Sequence, residues 1–119
     1  MAAVRRSVSL WLPVVAWAGV IFGLSAIPSL SSGLGVWDTI LRKGAHLTEY
    51  AILAVLLRRA LSSELAALVV AIVYAGTDEL HQAFVRGRHG SPVDVAIDGI
   101  GAAAGLLLVL QARRSRALR

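Results

Sequence analysis

Ser91-Pro92-Val93-Asp94-Val95-Ala96-Ile97-Asp98-Gly99-Ile100-Gly101-Ala102-Ala103-Ala104-Gly105-Leu106-Leu107-Leu108-Val109-Leu110-Gln111 opens with a helix-start signal and continues as an apolar run. Serine stands where an N-cap accepts a backbone N–H, proline at the first helical position, and a carboxylate at the third. At about 1.5 Å per residue the run is long enough to cross a hydrocarbon core of roughly 30 Å. Asp94 and Asp98 are its ionisable residues and lie one helical turn apart. Gly101 and Gly105 enclose Ala102, Ala103 and Ala104, a spacing of small residues that allows close helix approach. The glycines share a stripe with the two aspartates, so this face is expected to pack against the second and third helices rather than lipid. A dimer face is the alternative use of the same glycines.

Upstream there are three more apolar runs, giving helices expected over residues 8–27, 45–61, 64–84 and 92–111. Pro28 and the Ser/Gly-rich stretch 29–35 end the first. Its apolar core is long for a cleaved signal peptide, so an uncleaved helix is the reading taken. Asp38 is a candidate cap for an earlier start of the second, with residues 37–43 lying along the interface. Ser62 or Ser63 caps the third, and the short 58–63 link makes helices two and three an antiparallel hairpin. The chain has 119 residues and is 57% hydrophobic, with a mean hydropathy of +0.73; soluble domains sit nearer 45–50% apolar. Four spans in so short a chain indicate one all-α integral membrane bundle, multi-pass in the cell membrane.

The net charge of +5 would suggest nucleic acid in a soluble protein. Here the basic residues flank apolar runs, so no nucleic-acid partner is expected. With the N-terminus inside, eight basic residues fall on the inner side: Arg5, Arg6, Arg58, Arg59, Arg113, Arg114, Arg116 and Arg119. The outer side holds four, Arg42, Lys43, Arg86 and Arg88. That asymmetry favours both termini in the cytoplasm. The absence of cysteine excludes disulfides, thiolate metal sites and a cysteine nucleophile.

Ionisable groups inside a span are costly and point to function. The second run carries Lys43, His46, Glu49 and Tyr50 at spacings that share one face. The third carries Asp78, Glu79, His81 and Gln82 near its end. The expected topology places these groups, with Asp94 and Asp98, in the outer half of the membrane. Lys43 has a blander reading as a snorkelling side chain, and Asp94 as a cap. Asp78 and Glu79 point about 100° apart. One is expected to face the cluster and the other the interface, and the sequence leaves open which. His81 reads as interfacial. Tyr50, Trp37 and Phe84 have packing or interfacial alternatives. The carboxylates and His46 include metal-ligating types, but no dense ligand motif is present, so neither metal nor other cofactor is expected. There is no phosphate loop and no nucleophile elbow.

These residues resemble a known pattern. Residues 42–50, Arg-Lys-Gly-Ala-His-Leu-Thr-Glu-Tyr, resemble the K-x-x-H-x-x-E-Y segment of the VanZ-like family. Residues 77–84 resemble its D-E-x-x-Q-x-F segment. Gly87-Arg88 through Asp94, Asp98, Gly101 and Gly105 resemble its third segment. Arg86 stands where the family usually has proline, so no role is carried over to it; Arg88 matches. The resemblance implies a bacterial cell-envelope membrane protein. Founding members of that family lower susceptibility to glycopeptide antibiotics such as teicoplanin, which implies a role and a place rather than a reaction.

The expected function is engagement of a lipid or lipid-linked envelope precursor by an outward-facing polar pocket. Lys43 and Arg88 would meet its phosphate or carboxylate. His46, Glu49, Asp78 and Glu79 would hold or protonate it, with Tyr50, Gln82, Asp94 and Asp98 completing the pocket. One rival is an enzyme acting on the head group, with catalytic candidates His46, Glu49, Asp78 and Glu79. The other is a proton-coupled transporter or flippase, which at this size calls for a homo-oligomer.

Overall fold

A computed structural model describes residues 2–25, 36–84 and 92–117. The described chain is all-α, with four helices: α1 Ala2–Ser25, α2 Val36–Leu61, α3 Glu64–Ala83 and α4 Pro92–Ala117. Two of them, α1 over Ala2–Leu24 and α4 over Pro92–Arg116, are long and apolar enough to cross a membrane. The other two carry ionisable residues inside the helix, Lys43, His46 and Glu49 in α2 and Asp78, Glu79 and His81 in α3.

Three helices are longer than their apolar runs. α1 already includes Arg5 and Arg6, and α4 continues through Arg113, Arg114 and Arg116. Alanine and arginine are good helix formers and nothing in those segments breaks the ladder. α2 begins at Val36, so residues 37–43 are helical and continuous with the following run.

Side-chain pairs fix the direction of each helix. Lys43 meets Asp94 and His46 meets Asp98, so α2 and α4 run parallel. Tyr74 meets Ala18 and His81 stacks on Phe22, so α1 and α3 run parallel. Tyr50 pairs with Asp78 and Arg58 with Glu64, which makes α2 and α3 antiparallel. The helices therefore alternate up and down. Among the described residues α2 touches all three others, while α1 packs on α2 and α3.

The α2–α3 turn is closed by local chemistry. Ser62 adopts a positive φ of 56°, and its N–H bonds to the Arg58 carbonyl at 2.9 Å. This is a left-handed helix C-terminus, with Ser62 at the position usually taken by glycine. Ser63 is the cap of α3: its Oγ accepts from the Ala66 N–H at 3.2 Å.

The core is built of Tyr50, Leu53, Ala54 and Leu57 on α2, with Val14 and Ile21 on α1. Ala67, Ala71 and Ala75, four residues apart, form the buried stripe of α3. α4 seats Gly101 and Gly105 directly on the α2 backbone. An added Cβ would lie 2.8 Å from Leu47 Cα at Gly101 and 2.9 Å from Ala51 Cα at Gly105. Within this apolar core three acidic residues among those described are also buried, which is rare for such side chains. Asp78, Glu79 and Asp98 are buried, while Val15, Leu65, Val73, Ile100, Leu107 and Leu108 are exposed.

Candidate functional site

Parallel packing of α2 and α4 has a direct consequence for their polar residues. Both helices begin at the same end of the bundle, so positions 43, 46 and 50 of α2 run alongside 94 and 98 of α4. The glycine contacts hold the two backbones close enough for short side chains to meet. The result is a three-rung polar ladder that descends into the bundle.

The first rung is an ion pair between Lys43 Nζ and Asp94 Oδ1 at 3.1 Å, with side chains 42% and 28% exposed. The second joins His46 Nδ1 and Asp98 Oδ1 at 3.0 Å, at 14% and 1% exposed. A proton is shared across this rung, donated by the imidazole N–H or by the carboxylic acid. In the third, the Tyr50 hydroxyl donates to Asp78 Oδ2 at 3.2 Å, and both residues are within 2% of complete burial. Lys43 and Tyr50 are seven residues apart, so the ladder descends about 10 Å along α2. Its mouth is partly exposed and its foot is buried.

Second contacts hold the ladder in place. Trp17 of α1 donates its indole N–H to the Glu49 backbone carbonyl at 2.8 Å. Tyr74 of α3 donates to the Ala18 carbonyl at 2.6 Å. These bonds tie α1 to α2 and α3, two of the three helices that carry the site. Neither residue stood out in the sequence, because a Trp or Tyr in an apolar run gives no sign of which carbonyl it reaches.

Several expectations are refined or corrected by the placement. Asp78 and Glu79 are both buried, so neither faces an interface. α3 has neighbours on more than one side, and residues 100° apart can both point inward. Asp78 is the one that joins His46 and Asp98. His81 is half-buried and stacked on Phe22, with ring centroids 4.0 Å apart, rather than simply interfacial. The hydrogen bond on His46 Nδ1 goes to Asp98, across the helix interface. Trp37 and Phe84 are exposed. Arg88, Arg86 and the Ser91 cap lie outside the described residues, as does the side chain of Gln82.

Residues 3–113 match the family VanZ/LLP1, which takes in nearly the whole chain. No curated protein and no solved structure matches the chain.

Proposed function

The chain belongs to the VanZ/LLP1 family, and we propose that it is a four-span, multi-pass protein of the bacterial cell membrane whose polar ladder binds a head group. The ligand is a lipid or lipid-linked envelope precursor, with its head group at the Lys43–Asp94 mouth. The observation that carries this reading is the gradient of the ladder, from a half-exposed Lys43 to a buried Asp98, within an apolar-surfaced bundle. An ammonium at an open rim attracts an anion, and the descending donors and acceptors fix its orientation.

The alternating helix directions support four crossings, and the exposed apolar exterior supports immersion in lipid. Both termini are then cytoplasmic and the ladder opens outward, the orientation that the eight-to-four basic asymmetry favours. An apolar groove of about 400 Å³ supports a lipid ligand further. It lies between α2 and α4, lined by Ile52, Val55, Leu56, Leu108 and Val109, and begins at Ala51 and Gly105 just below the ladder. A head group at the ladder leaves its acyl chain beside this groove. By extension from the family, the chain takes part in glycopeptide susceptibility of the cell envelope.

The test is lipid analysis of protein purified in mild detergent. Wild type should retain an anionic or lipid-linked species through delipidation that Lys43→Ala and Asp98→Ala lose. Arg59→Ala, an exposed change at the other end of α2, should retain it. Identical lipid content in wild type and Asp98→Ala, with both variants correctly inserted, would refute head-group binding at the ladder.

A further inference from the structure

The foot of the ladder has a geometry that could do more than orient a head group held at the Lys43 mouth. His46, Asp78 and Asp98 each bring one ligand-type atom into a group whose members lie within 4.8 Å of one another. The three residues come from three helices, so the group exists only in the folded bundle. Asp98 is 1% exposed, and its Oδ2 has no hydrogen-bond partner among the described residues. A buried carboxylate oxygen left this way loses its hydration without a replacement.

We propose that His46, Asp78 and Asp98 form a binding site for a divalent transition-metal cation, zinc or manganese. One imidazole and two carboxylates form a nitrogen–oxygen set suited to these ions. Zinc ligands stand about 2.1 Å from the ion, which puts neighbouring ligand atoms roughly 3.4 Å apart in a tetrahedral arrangement. The His46 Nδ1 to Asp98 Oδ1 separation of 3.0 Å is already at that scale. The wider pairs need movements of about an ångström, within reach of side-chain torsions. The cation takes the place of the proton shared between His46 and Asp98, and that proton is released on binding. It also gives the buried Asp98 Oδ2 a partner. Tyr50 serves as an outer support: its hydroxyl holds Asp78 Oδ2 and fixes the carboxylate's orientation. Three protein ligands leave a coordination position for water or for an oxygen of a bound head group.

The measurement uses the full chain, purified in detergent without a polyhistidine tag, stripped with chelator and dialysed against zinc or manganese. Elemental analysis should find about one ion per chain in wild type and in Arg59→Ala. Melting temperature should rise with added metal and fall back on chelation. Asp98→Asn and His46→Ala should bind substoichiometrically and lose the metal-dependent shift. A variant that fails to fold leaves the wild-type arms decisive. Stripped, folded wild type that neither takes up metal nor gains stability from it would overturn the proposal. So would full occupancy retained in a folded His46→Ala/Asp98→Asn double variant. Neither outcome touches head-group binding at Lys43, which is read from lipid retention.

Discussion

Replacing Gly101 with alanine adds one methyl group at the tightest point between α2 and α4. That carbon would lie 2.8 Å from Leu47 Cα and 3.0 Å from the Leu47 carbonyl carbon, with the carbonyl oxygen closer still. Carbon atoms in contact stand about 3.5–4.0 Å apart, so α4 must back away by roughly 1 Å. The obstacle is backbone within a helix, and it cannot swing aside as a side chain does. Overpacking of this kind costs about 1–3 kcal/mol. The same shift stretches the His46–Asp98 contact from 3.0 Å toward about 4 Å, beyond hydrogen-bonding range. Gly105→Ala meets Ala51 in the same way, with Cα at 2.9 Å. One displacement relieves both clashes, so the double variant should lose clearly less than the sum of the two singles. Gly76→Ala is the control: its added carbon meets nothing within 4 Å, and alanine is the better helix former. The assay is reversible unfolding in mixed micelles by titration with a denaturing detergent. Gly101→Ala as stable as Gly76→Ala, or strictly additive losses in the double variant, would refute backbone contact between these helices.

Other expectations follow from single contacts. Ser62→Gly should stabilise the chain by about 1 kcal/mol, because glycine carries no Cβ penalty at a φ of 56°; unchanged or lower stability in the same titration would argue against a left-handed turn. Tyr50→Phe should cost about 1–3 kcal/mol by removing the hydroxyl that Asp78 accepts from in a closed environment, and a neutral result would mean that another donor replaces it. Reporter fusions after Arg114 and in the 58–63 link should read cytoplasmic, and fusions at Gly33 and Gly90 external; an external reading at Arg114 would overturn the orientation inferred from basic residues.

Much of the fold was legible because it rests on local signals. Apolar run length marked the positions of all four helices, and Pro92 with Asp94 marked the start of α4. Helix ends were less legible at α1, α2 and α4. Hydropathy marks where a helix is apolar, not where its hydrogen-bond ladder stops, and arginine continues a helix as readily as alanine does. Ser62 and Ser63 were equal candidates for the α3 cap. The structure separates them by backbone conformation: Ser62 turns left-handed to end α2, which leaves Ser63 positioned to cap.

The candidate site divides along a different line. Face periodicity groups Lys43, His46 and Tyr50 on one side of α2, and Asp94 with Asp98 on one side of α4. Pairing across helices needs register, which no single helix contains. That register comes from Gly101 and Gly105, whose seats on Leu47 and Ala51 place residue 98 opposite residue 46. The glycine stripe and its packing on helices two and three were legible in the sequence, but the seats on Leu47 and Ala51 were not. Asp78 and Glu79 show the same limit. Their 100° separation predicts opposite fates only if α3 has a partner on one side. Because α3 packs on α1, α2 and α4, both carboxylates are inside, and among the described residues Asp78 joins the His46–Asp98 cluster. The glycine stripe and the polar ladder therefore form one device: the small residues set the helix spacing that lets short acidic side chains meet a histidine across the interface. The binding proposed at Asp98, read as retained lipid or metal, should accordingly weaken in Gly101→Ala even though no polar atom has been changed.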